Sequence, residues 1–237
     1  MSDPRHIDLA TLTPGDSLKV TLAVAAAHLV CFPTDTVYGV GGALNMAVAE
    51  VIATAKHRDP SRPLQVIFSS RELLLETVSM SAALRDVTLR LMPGPVTLLV
   101  PYPKDFVVPE PGKVTHTIKR GLLRSPREET VLSLGVRVPN WSGAASVLGT
   151  LPFPLLASSA NPSGGEAPRR VADVEAGVRS ACDLVLDGGT VDGRPSTVVD
   201  FTFYDRYRSW RILRPGAWTE AEISEKLACK REDLPRS

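Results

Sequence analysis

Residues 47–68 read AVAEVIATAKHRDPSRPLQVIF, and this stretch decides the class of fold. Its first half repeats apolar residues at helical spacing, which predicts a helix over 47–57. Pro60 and Pro63 end that helix, because proline lacks the backbone N–H that a helix needs. Residues 64–68 are then a mostly apolar run, as in a strand buried on both faces. A helix that leads at once into a buried strand is typical of layered α/β proteins.

The same alternation continues on both sides of this stretch. Further helices are predicted at 16–27, 81–92, 141–148, 171–180 and 219–228. Further strands are predicted at 28–32, 96–100, 132–138, 154–157, 184–186, 197–200 and 211–213. Strands cluster in the last third of the chain with short connections, which favours a mixed sheet over a purely parallel one. We therefore predict an α/β fold with a mixed parallel and antiparallel sheet flanked by helices.

The bulk composition is that of a cytosolic globular protein. The 237 residues are 43% hydrophobic, and 27 basic against 26 acidic side chains leave a net charge of +1. No overall field therefore attracts nucleic acid or membrane, so any anion site must be local. Cys31, Cys182 and Cys229 are far apart, which predicts reduced thiols, and the scattered histidines offer no metal-ligand spacing. The apolar stretch 20–32 is too short to cross a bilayer, so we expect a cytoplasmic protein without membrane contact.

One main domain with two appendages is expected. Residues 1–15 are polar and rich in turn formers, which predicts a flexible N-terminal arm. Residues 16–218 would form the main domain, and 219–237 a C-terminal helix and tail. Within the domain, 104–130 is predicted to be a loop insertion, because it is rich in proline and charge and has no clear period. Such a loop is a solvated insertion, a basic lid over a phosphate site, or an RNA-contacting patch.

A cluster of cations lies where the first helix gives way to the strand. Lys56, Arg58 and Arg62 fall within seven residues, and their repulsion is unfavourable unless an anion or an acidic partner relieves it. The run Ser158-Ser159-Ala160-Asn161 follows an apolar strand and offers hydroxyl and amide groups. These segments predict a phosphate site built from side chains, since neither glycine-rich phosphate fingerprint is present. The alternative is a solvated helix end, where cations suit the helix dipole.

Two further segments offer polar groups at strand ends. Residues 33–39 read PTDTVYG and follow a buried strand, which is where ligands of α/β sheets bind. The alternative for this segment is a turn stabilised by its own side chains, with Tyr38 packed in the core. Arg137 lies within an otherwise apolar strand, and a buried guanidinium needs an anionic partner. That partner is either an acid of the chain itself or a substrate carboxylate.

The order of eight short motifs resembles one known family. They are PTDTVYG at 33–39, KxR at 56–58, PL at 63–64, PGPVTL at 93–98, VRVP at 136–139, SAN at 159–161, STVVD at 196–200 and LRPG at 213–216. Each motif is weak alone, but their common order over residues 17–216 is highly specific. The chain resembles the YrdC-like family of L-threonylcarbamoyladenylate synthases, in its short single-domain form.

The resemblance implies a twisted mixed sheet around a large basic cavity, and a nucleotidyltransferase. ATP, L-threonine and bicarbonate would give threonylcarbamoyl-AMP, pyrophosphate and water, with Mg²⁺ arriving as part of the ATP complex. A tRNA threonylcarbamoyltransferase complex would then move the threonylcarbamoyl group to adenosine 37 of tRNA. Whether the chain itself contacts RNA is left open by the resemblance.

The resemblance also implies roles for individual positions. The ATP site would comprise Lys56, Arg58, Arg62, Ser133, Ser159, Asn161 and Arg214. Of these, Lys56 and Arg58 would be catalytic, because they would stabilise charge on the departing pyrophosphate. The L-threonine site would comprise Thr36, Arg137, Ala157 and Ser196. No metal-binding residue of the protein is implied.

Two departures from the family pattern keep other functions open. Asp59 follows KxR where the family usually has proline, and Ile67 stands where some members carry a histidine that contacts threonine. One alternative is a carbamoyl-adenylate-forming paralogue that uses carbamoyl phosphate, like the similar domain of hydrogenase maturation proteins. The other is a double-stranded-RNA or ribosome-assembly binding protein, for which steeply salt-dependent RNA affinity without turnover is expected.

Overall fold

A computed structural model gives the arrangement of these elements and describes residues 5–59, 63–103, 115–121, 128–162 and 164–228. The strands in these ranges are β1 (Arg5–Asp8), β2 (Val30–Phe32), β3 (Gly39–Ala43), β4 (Gln65–Ile67), β5 (Val96–Pro101), β6 (Thr115–Gly121), β7 (Glu128–Arg137), β8 (Leu155–Ser159), β9 (Leu184–Asp187), β10 (Thr197–Asp200) and β11 (Arg211–Arg214). The α-helices are α1 (Ser17–Ala26), α2 (Met46–Ala55), α3 (Arg71–Thr77), α4 (Ala82–Leu91), α5 (Ala176–Ser180), α6 (Tyr204–Tyr207) and α7 (Glu220–Ala228). Short 3-10 segments lie at Leu9–Thr11, Pro14–Asp16, Gly143–Thr150 and Val171–Asp173.

All of these strands belong to one mixed sheet. Its order is β1-β9-β2-β3-β8-β4-β7-β5-β10-β11, and β6 pairs with β7 outside that path. The pairs β1 with β9, β2 with β9, β4 with β7 and β5 with β10 are parallel. The remaining pairs are antiparallel. The predicted α/β class and the predicted mixed sheet are therefore confirmed.

Helix α2 brings Lys56 and Arg58 to the carboxyl end of β8, a central strand of the sheet. The Asn45 side chain caps its start by accepting the backbone N–H of Val48. At its other end His57 adopts a left-handed backbone, with φ 46°. A left-handed residue just past a helix is a common way to end it. The chain turns there, which directs Arg58 back toward the strands.

The two faces of the sheet are covered differently. One face packs against α2, α3, α4, α5 and α7 through strand residues such as Val66, Leu98 and Val136. The second face packs against α1 and the 3-10 segment Gly143–Thr150, mainly over β2, β8 and β9. Over β4, β5, β7 and β10 the second face instead forms the floor of a cavity.

The prediction of a flexible N-terminal arm is wrong for residues 5–15. Arg5–Asp8 pairs in parallel with Leu184–Asp187, which makes it a strand of the sheet. Ile7 and Leu9 are buried in the same cluster as helix α1 and hold the segment in place. Two apolar residues among polar ones are too few to give a strand pattern in the sequence. Residues 1–4 of the predicted arm lie outside the described residues.

The prediction of a loop insertion over 104–130 is wrong where the structure describes that segment. Thr115–Gly121 pairs antiparallel with Glu128–Arg137, so both are strands. The first of them reads THTIKRG, and such a polar sequence lacks the apolar run that indicated the other strands. The predictions of a lid or an RNA patch remain predictions, because 104–114 and 122–127 lie outside the described residues.

Smaller differences concern the helices. The helix predicted at 141–148 is the 3-10 segment Gly143–Thr150, where Gly143 has a φ of +57° and Gly149 adds a second weak helix former. The helix predicted at 171–180 is a 3-10 turn followed by the short α5. The predicted C-terminal helix is confirmed as α7, and the tail from 229 onward lies outside the described residues.

Strand β3 depends on glycine at position 41, which gives a first prediction. A Cβ atom there would lie 2.2 Å from the backbone oxygen of Leu156 on the neighbouring strand β8. We expect Gly41→Ala to lower the free energy of unfolding by about 3 kcal/mol, because the strands would have to separate. Gly15→Ala is the control, since its nearest neighbour would be 3.8 Å away. Equal thermal midpoints for the two variants would contradict this packing.

Candidate functional site

The cavity on the second sheet face has a volume of about 540 Å³. Its floor is made by Gly39, Gln65, Ile67, Thr97, Leu99, Arg137, Ala157, Val198 and Arg214. Its walls include Thr34, Arg58, Ser158, Ser159, Asn161, Pro195 and Ser196. Three arginines and no carboxylate are among the described lining residues, which suits an anionic ligand. The overall charge of the predicted basic cavity remains a prediction, because Arg62 lies outside the described residues.

Arg58 is held at one wall of the cavity. Its guanidinium donates to the hydroxyl of Ser158 over 3.2 Å and to the backbone oxygen of Pro63 over 3.3 Å. These contacts fix a half-buried cation beside the run 158–161, which begins in the last two residues of β8. The predicted association of the cation cluster with the small polar run is therefore confirmed for Arg58.

Lys56 lies behind that wall and is almost fully buried. Its ammonium donates to the backbone oxygen of Ser159 and lies 3.5 Å from the hydroxyl of the same residue. Burial, and to a lesser extent the charge of Arg58, lowers the pKa of Lys56 to about 7. An anion bound at the wall would reverse that shift, because it would favour the charged amine.

The lowered pKa of Lys56 predicts a specific pH dependence of stability. The pKa of Lys56 is about 7 when folded against 10.5 ordinarily, so between these values the unfolded chain binds more protons. The free energy of unfolding should therefore rise with pH across this window, by up to about 1.4 kcal/mol per pH unit. We expect wild type to gain about 2 kcal/mol over Lys56→Met between pH 7 and pH 9 in urea unfolding. A constant difference between the two proteins would show that Lys56 keeps an ordinary pKa.

Arg137 is anchored by an acid of the chain itself. The side chain is 2% exposed, and one of its terminal nitrogens donates to the Asp35 carboxylate and, over 2.8 Å, to the Thr36 hydroxyl. Asp35 also accepts the backbone N–H of Asn140. Burial lowers the pKa of Arg137, and the Asp35 charge opposes that shift. Of the two partners considered for Arg137, the internal acid is the one present.

The guanidinium of Arg137 nevertheless keeps bonding capacity toward the cavity. Its Nε is buried and has no hydrogen-bond partner among the described residues. Arg137 also lines the cavity. A buried N–H without a partner is costly, so a ligand oxygen that accepts from it would be stabilised.

The segment 33–39 forms a turn stabilised by its own side chains, which confirms the alternative predicted for it. The Thr34 hydroxyl donates to the Val37 backbone oxygen and accepts the backbone N–H groups of Thr36 and Val37. Tyr38 is fully buried, and its hydroxyl donates to the backbone oxygen of Gly189 over 2.7 Å and lies 3.1 Å from the Asp187 carboxylate. Thr34 still lines the cavity, so the turn and a contact with a ligand are compatible.

A chain of hydrogen bonds crosses the floor of the cavity. Arg214 donates to the Ser196 hydroxyl over 3.2 Å, and the Ser196 and Thr97 hydroxyls lie 2.9 Å apart. Thr97 then donates to the Gln65 side-chain oxygen over 3.0 Å. Burial, followed by the charge of Arg137, lowers the pKa of Arg214. The sequence indicated Ser196 and Arg214 but gave no reason to single out Thr97 or Gln65.

Two classes of feature are absent from the part of the chain that the structure describes. No group of three or more His, Cys, Asp or Glu side chains is arranged to hold a metal ion there. None of the helices within the described ranges has the length and apolar character needed to span a membrane.

Comparison with known proteins assigns the family. A family profile named Sua5_yciO_yrdC, described as "Telomere recombination", matches residues 23–216. The chain belongs to this family. The resemblance inferred from the eight motifs is confirmed.

Individual family members are similar over most of this chain. A threonylcarbamoyl-AMP synthase of Pyrococcus abyssi is 33% identical over 204 residues, which are 84% of this chain and 53% of the relative. A threonylcarbamoyl-AMP synthase of Chromohalobacter salexigens is 34% identical over 189 residues, 77% of this chain and 92% of the relative. The crystal structure of P. abyssi Sua5 complexed with L-threonine has a TM-score of 0.70 and 26% identity, and the match covers 95% of this chain and 60% of that one. The chain therefore spans about half the length of the Pyrococcus relative.

Most of the predicted site residues meet at the cavity. Arg58, Arg137, Ala157, Ser159, Asn161, Ser196 and Arg214 line it. Lys56 and Thr36 stand directly behind lining residues and contact them. Ser133 is buried in β7 outside the lining, so its place in an ATP site remains a prediction, as does that of Arg62.

Proposed function

We propose that the chain is an L-threonylcarbamoyladenylate synthase. The observation that carries the proposal is the placement of Arg58 and Arg137 in one cavity of the family fold. A guanidinium at each of two places suits two separate anionic groups, such as a triphosphate and an amino-acid carboxylate. The family members named threonylcarbamoyl-AMP synthase support the choice of substrates.

ATP would bind along the wall formed by the end of α2 and the run 158–161 at the end of β8. Arg58 and Arg62, with Lys56, would hold the phosphates and stabilise charge on the departing pyrophosphate. The remaining contacts would come from Ser133, Ser159, Asn161 and Arg214. The Asn161 side-chain oxygen is buried without a hydrogen-bond partner among the described residues, so a donor of the nucleotide would satisfy it. Mg²⁺ would enter as part of the ATP substrate complex, held by phosphate oxygens.

L-threonine would bind over the floor near Arg137. Its carboxylate would accept from the Arg137 guanidinium, while Asp35 and Thr36 keep that group in place. Ser196 would contact the threonine side chain. Ala157 would leave room for that side chain, because alanine carries only a methyl group. Ile67 lies on the same floor as an apolar surface, so no histidine is needed to shape the pocket.

The reaction then needs alignment and charge neutralisation and no covalent enzyme intermediate. The threonine amine and bicarbonate would form a carbamate and water. A carbamate oxygen would attack the α-phosphorus of ATP, and pyrophosphate would leave with the electron pair of the broken P–O bond. Holding the reactants aligned in one cavity supplies much of the acceleration. The product would pass to the complex that modifies adenosine 37 of tRNA, and a cytoplasmic location follows from that role.

Mass spectrometry of the reaction product tests this proposal. With Mg-ATP, L-threonine and ¹³C-bicarbonate, we expect threonylcarbamoyl-AMP that carries one ¹³C atom. Carbamoyl-AMP formed only when carbamoyl phosphate is supplied would favour the carbamoyl-adenylate alternative. RNA binding without any adenylate product would favour the RNA-binding alternative.

A further inference from the structure

We infer that Gln65 is a substrate-contacting residue, whose side-chain amide donates hydrogen bonds to the carbamate formed on threonine. The inference rests on the proposed function and assigns a residue that the family motifs leave without a role. Gln65 lies on β4 and lines the floor of the cavity. Its neighbour across β8 is Ala157, whose small side chain leaves the space above the amide open.

In the hydrogen-bond chain on the floor, the Gln65 amide oxygen lies toward Thr97 and its nitrogen is left for the ligand. Arg214 can only donate, so the Ser196 hydroxyl accepts from it and is free to donate to Thr97. Thr97 in turn donates to the oxygen of the Gln65 amide. The amide oxygen is therefore occupied, and the amide nitrogen keeps two N–H donors. No partner for that nitrogen is found among the described residues, so Gln65 offers donors to the cavity.

Gln65 lies between the two proposed anion sites, at Arg58 and at Arg137. Along the chain, Pro63 contacts Arg58, and Ile67 pairs with Arg137 across β4 and β7. Gln65 is halfway between these two residues, about 7 Å from each at the usual rise of an extended chain. A threonine carboxylate on Arg137 and an α-phosphate near Arg58 would leave the amine of threonine between them. The carbamate forms on that amine, and this places it beside Gln65.

The chemistry of the carbamate matches two N–H donors. The amine and HCO₃⁻ give an N–C bond, a carboxylate on nitrogen and one molecule of water. One carbamate oxygen then attacks the α-phosphorus, and the other becomes the carbonyl oxygen of the product. A neutral amide donor stabilises the carbamate anion without competing with the cations that bind phosphate. It also holds the second oxygen away from phosphorus, so that the first is aligned for attack.

Steady-state pyrophosphate release by two variants tests the inference. Gln65→Leu keeps the size of the side chain but removes its donors, and Gln65→Glu offers acceptors only. For Gln65→Leu we expect the KM for bicarbonate to rise about 10-fold or more, the effect of losing a hydrogen bond to a charged group. The KM values for ATP and threonine should change less than about 3-fold, and they serve as internal controls for the integrity of the fold. Gln65→Glu should lose more activity than Gln65→Leu, because its charge repels the carbamate.

The possible outcomes separate the inference from the proposed function. An unchanged KM for bicarbonate in Gln65→Leu, or an equal rise in all three KM values, would overturn the role of Gln65 and leave the synthase assignment standing. Wild-type protein that releases no pyrophosphate with threonine and bicarbonate would overturn the synthase assignment, and the role of Gln65 with it. A selective rise for bicarbonate would support both.

Discussion

Arg58→Ala should reduce ATP-dependent pyrophosphate release by at least about 100-fold, the usual effect of removing one donor that stabilises developing charge. Arg58 is the described cation of the cluster that lines the cavity, so no other described residue of the cluster replaces it there. The fold should survive, because the hydrogen bonds that Arg58 donates to Ser158 and to Pro63 are worth about 1 kcal/mol each. Steady-state kinetics with thermal unfolding of the same preparation measure both effects.

Arg85→Ala is the matched control for Arg58→Ala. Arg85 is an exposed arginine of α4 that also donates to a backbone oxygen, that of Leu75 over 3.3 Å. It does not line the cavity, so this variant should keep wild-type activity. Full activity in Arg58→Ala, or an equal loss in both variants, would show that Arg58 does not hold phosphate.

Substitution of Arg137 should separate threonine binding from ATP binding. For Arg137→Lys we expect the KM for threonine to rise about 10-fold or more, because an ammonium cannot keep Asp35 and Thr36 while pairing with a carboxylate. The KM for ATP should change less than about 3-fold. Kinetics with each substrate varied in turn measure the two values, and equal effects on both would reject the carboxylate role.

Arg137→Ala is expected to act mainly on stability. Asp35 is 11% exposed and would lose its cation, which leaves an uncompensated, mostly buried charge. Breaking a buried pair in this way costs about 3–5 kcal/mol. We therefore expect a clear fall in the unfolding midpoint for Arg137→Ala, which is why the kinetic test uses lysine. An unchanged midpoint would show that the Asp35–Arg137 pair does not stabilise the fold.

Elements with a continuous apolar run could be predicted from the sequence, and elements without one could not. Strands β4 and β5 are buried on both faces, so their composition alone indicates them. Strand β3 reads GVGGA, and glycine at 41 is required by contact with a neighbouring strand that no local pattern reveals. Strand β6 is held by backbone pairing with β7, which leaves its polar sequence without a period.

The site divides in a similar way. Arg58 and Arg137 could be predicted because a clustered or buried cation is itself unusual in a sequence. The partner of Arg137 could not, since Asp35 is 102 residues away and only the sheet order brings the two together. Gln65 lies on β4, Thr97 on β5 and Ser196 just before β10. Their contacts depend on a strand register that the pattern of apolar residues does not fix. The chemistry of individual residues could be predicted from the sequence, but their long-range partners could be identified only from the fold.

Pyrophosphate release by the purified chain tests the central claim most directly. The reaction would contain Mg-ATP, with L-threonine and bicarbonate each present or omitted, beside a control with carbamoyl phosphate. We predict release that requires threonine and bicarbonate together, since neither alone supplies the carbamate that attacks ATP. Release that is independent of threonine, or that appears only with carbamoyl phosphate, would contradict the assignment of this cavity to threonylcarbamoyl-AMP synthesis.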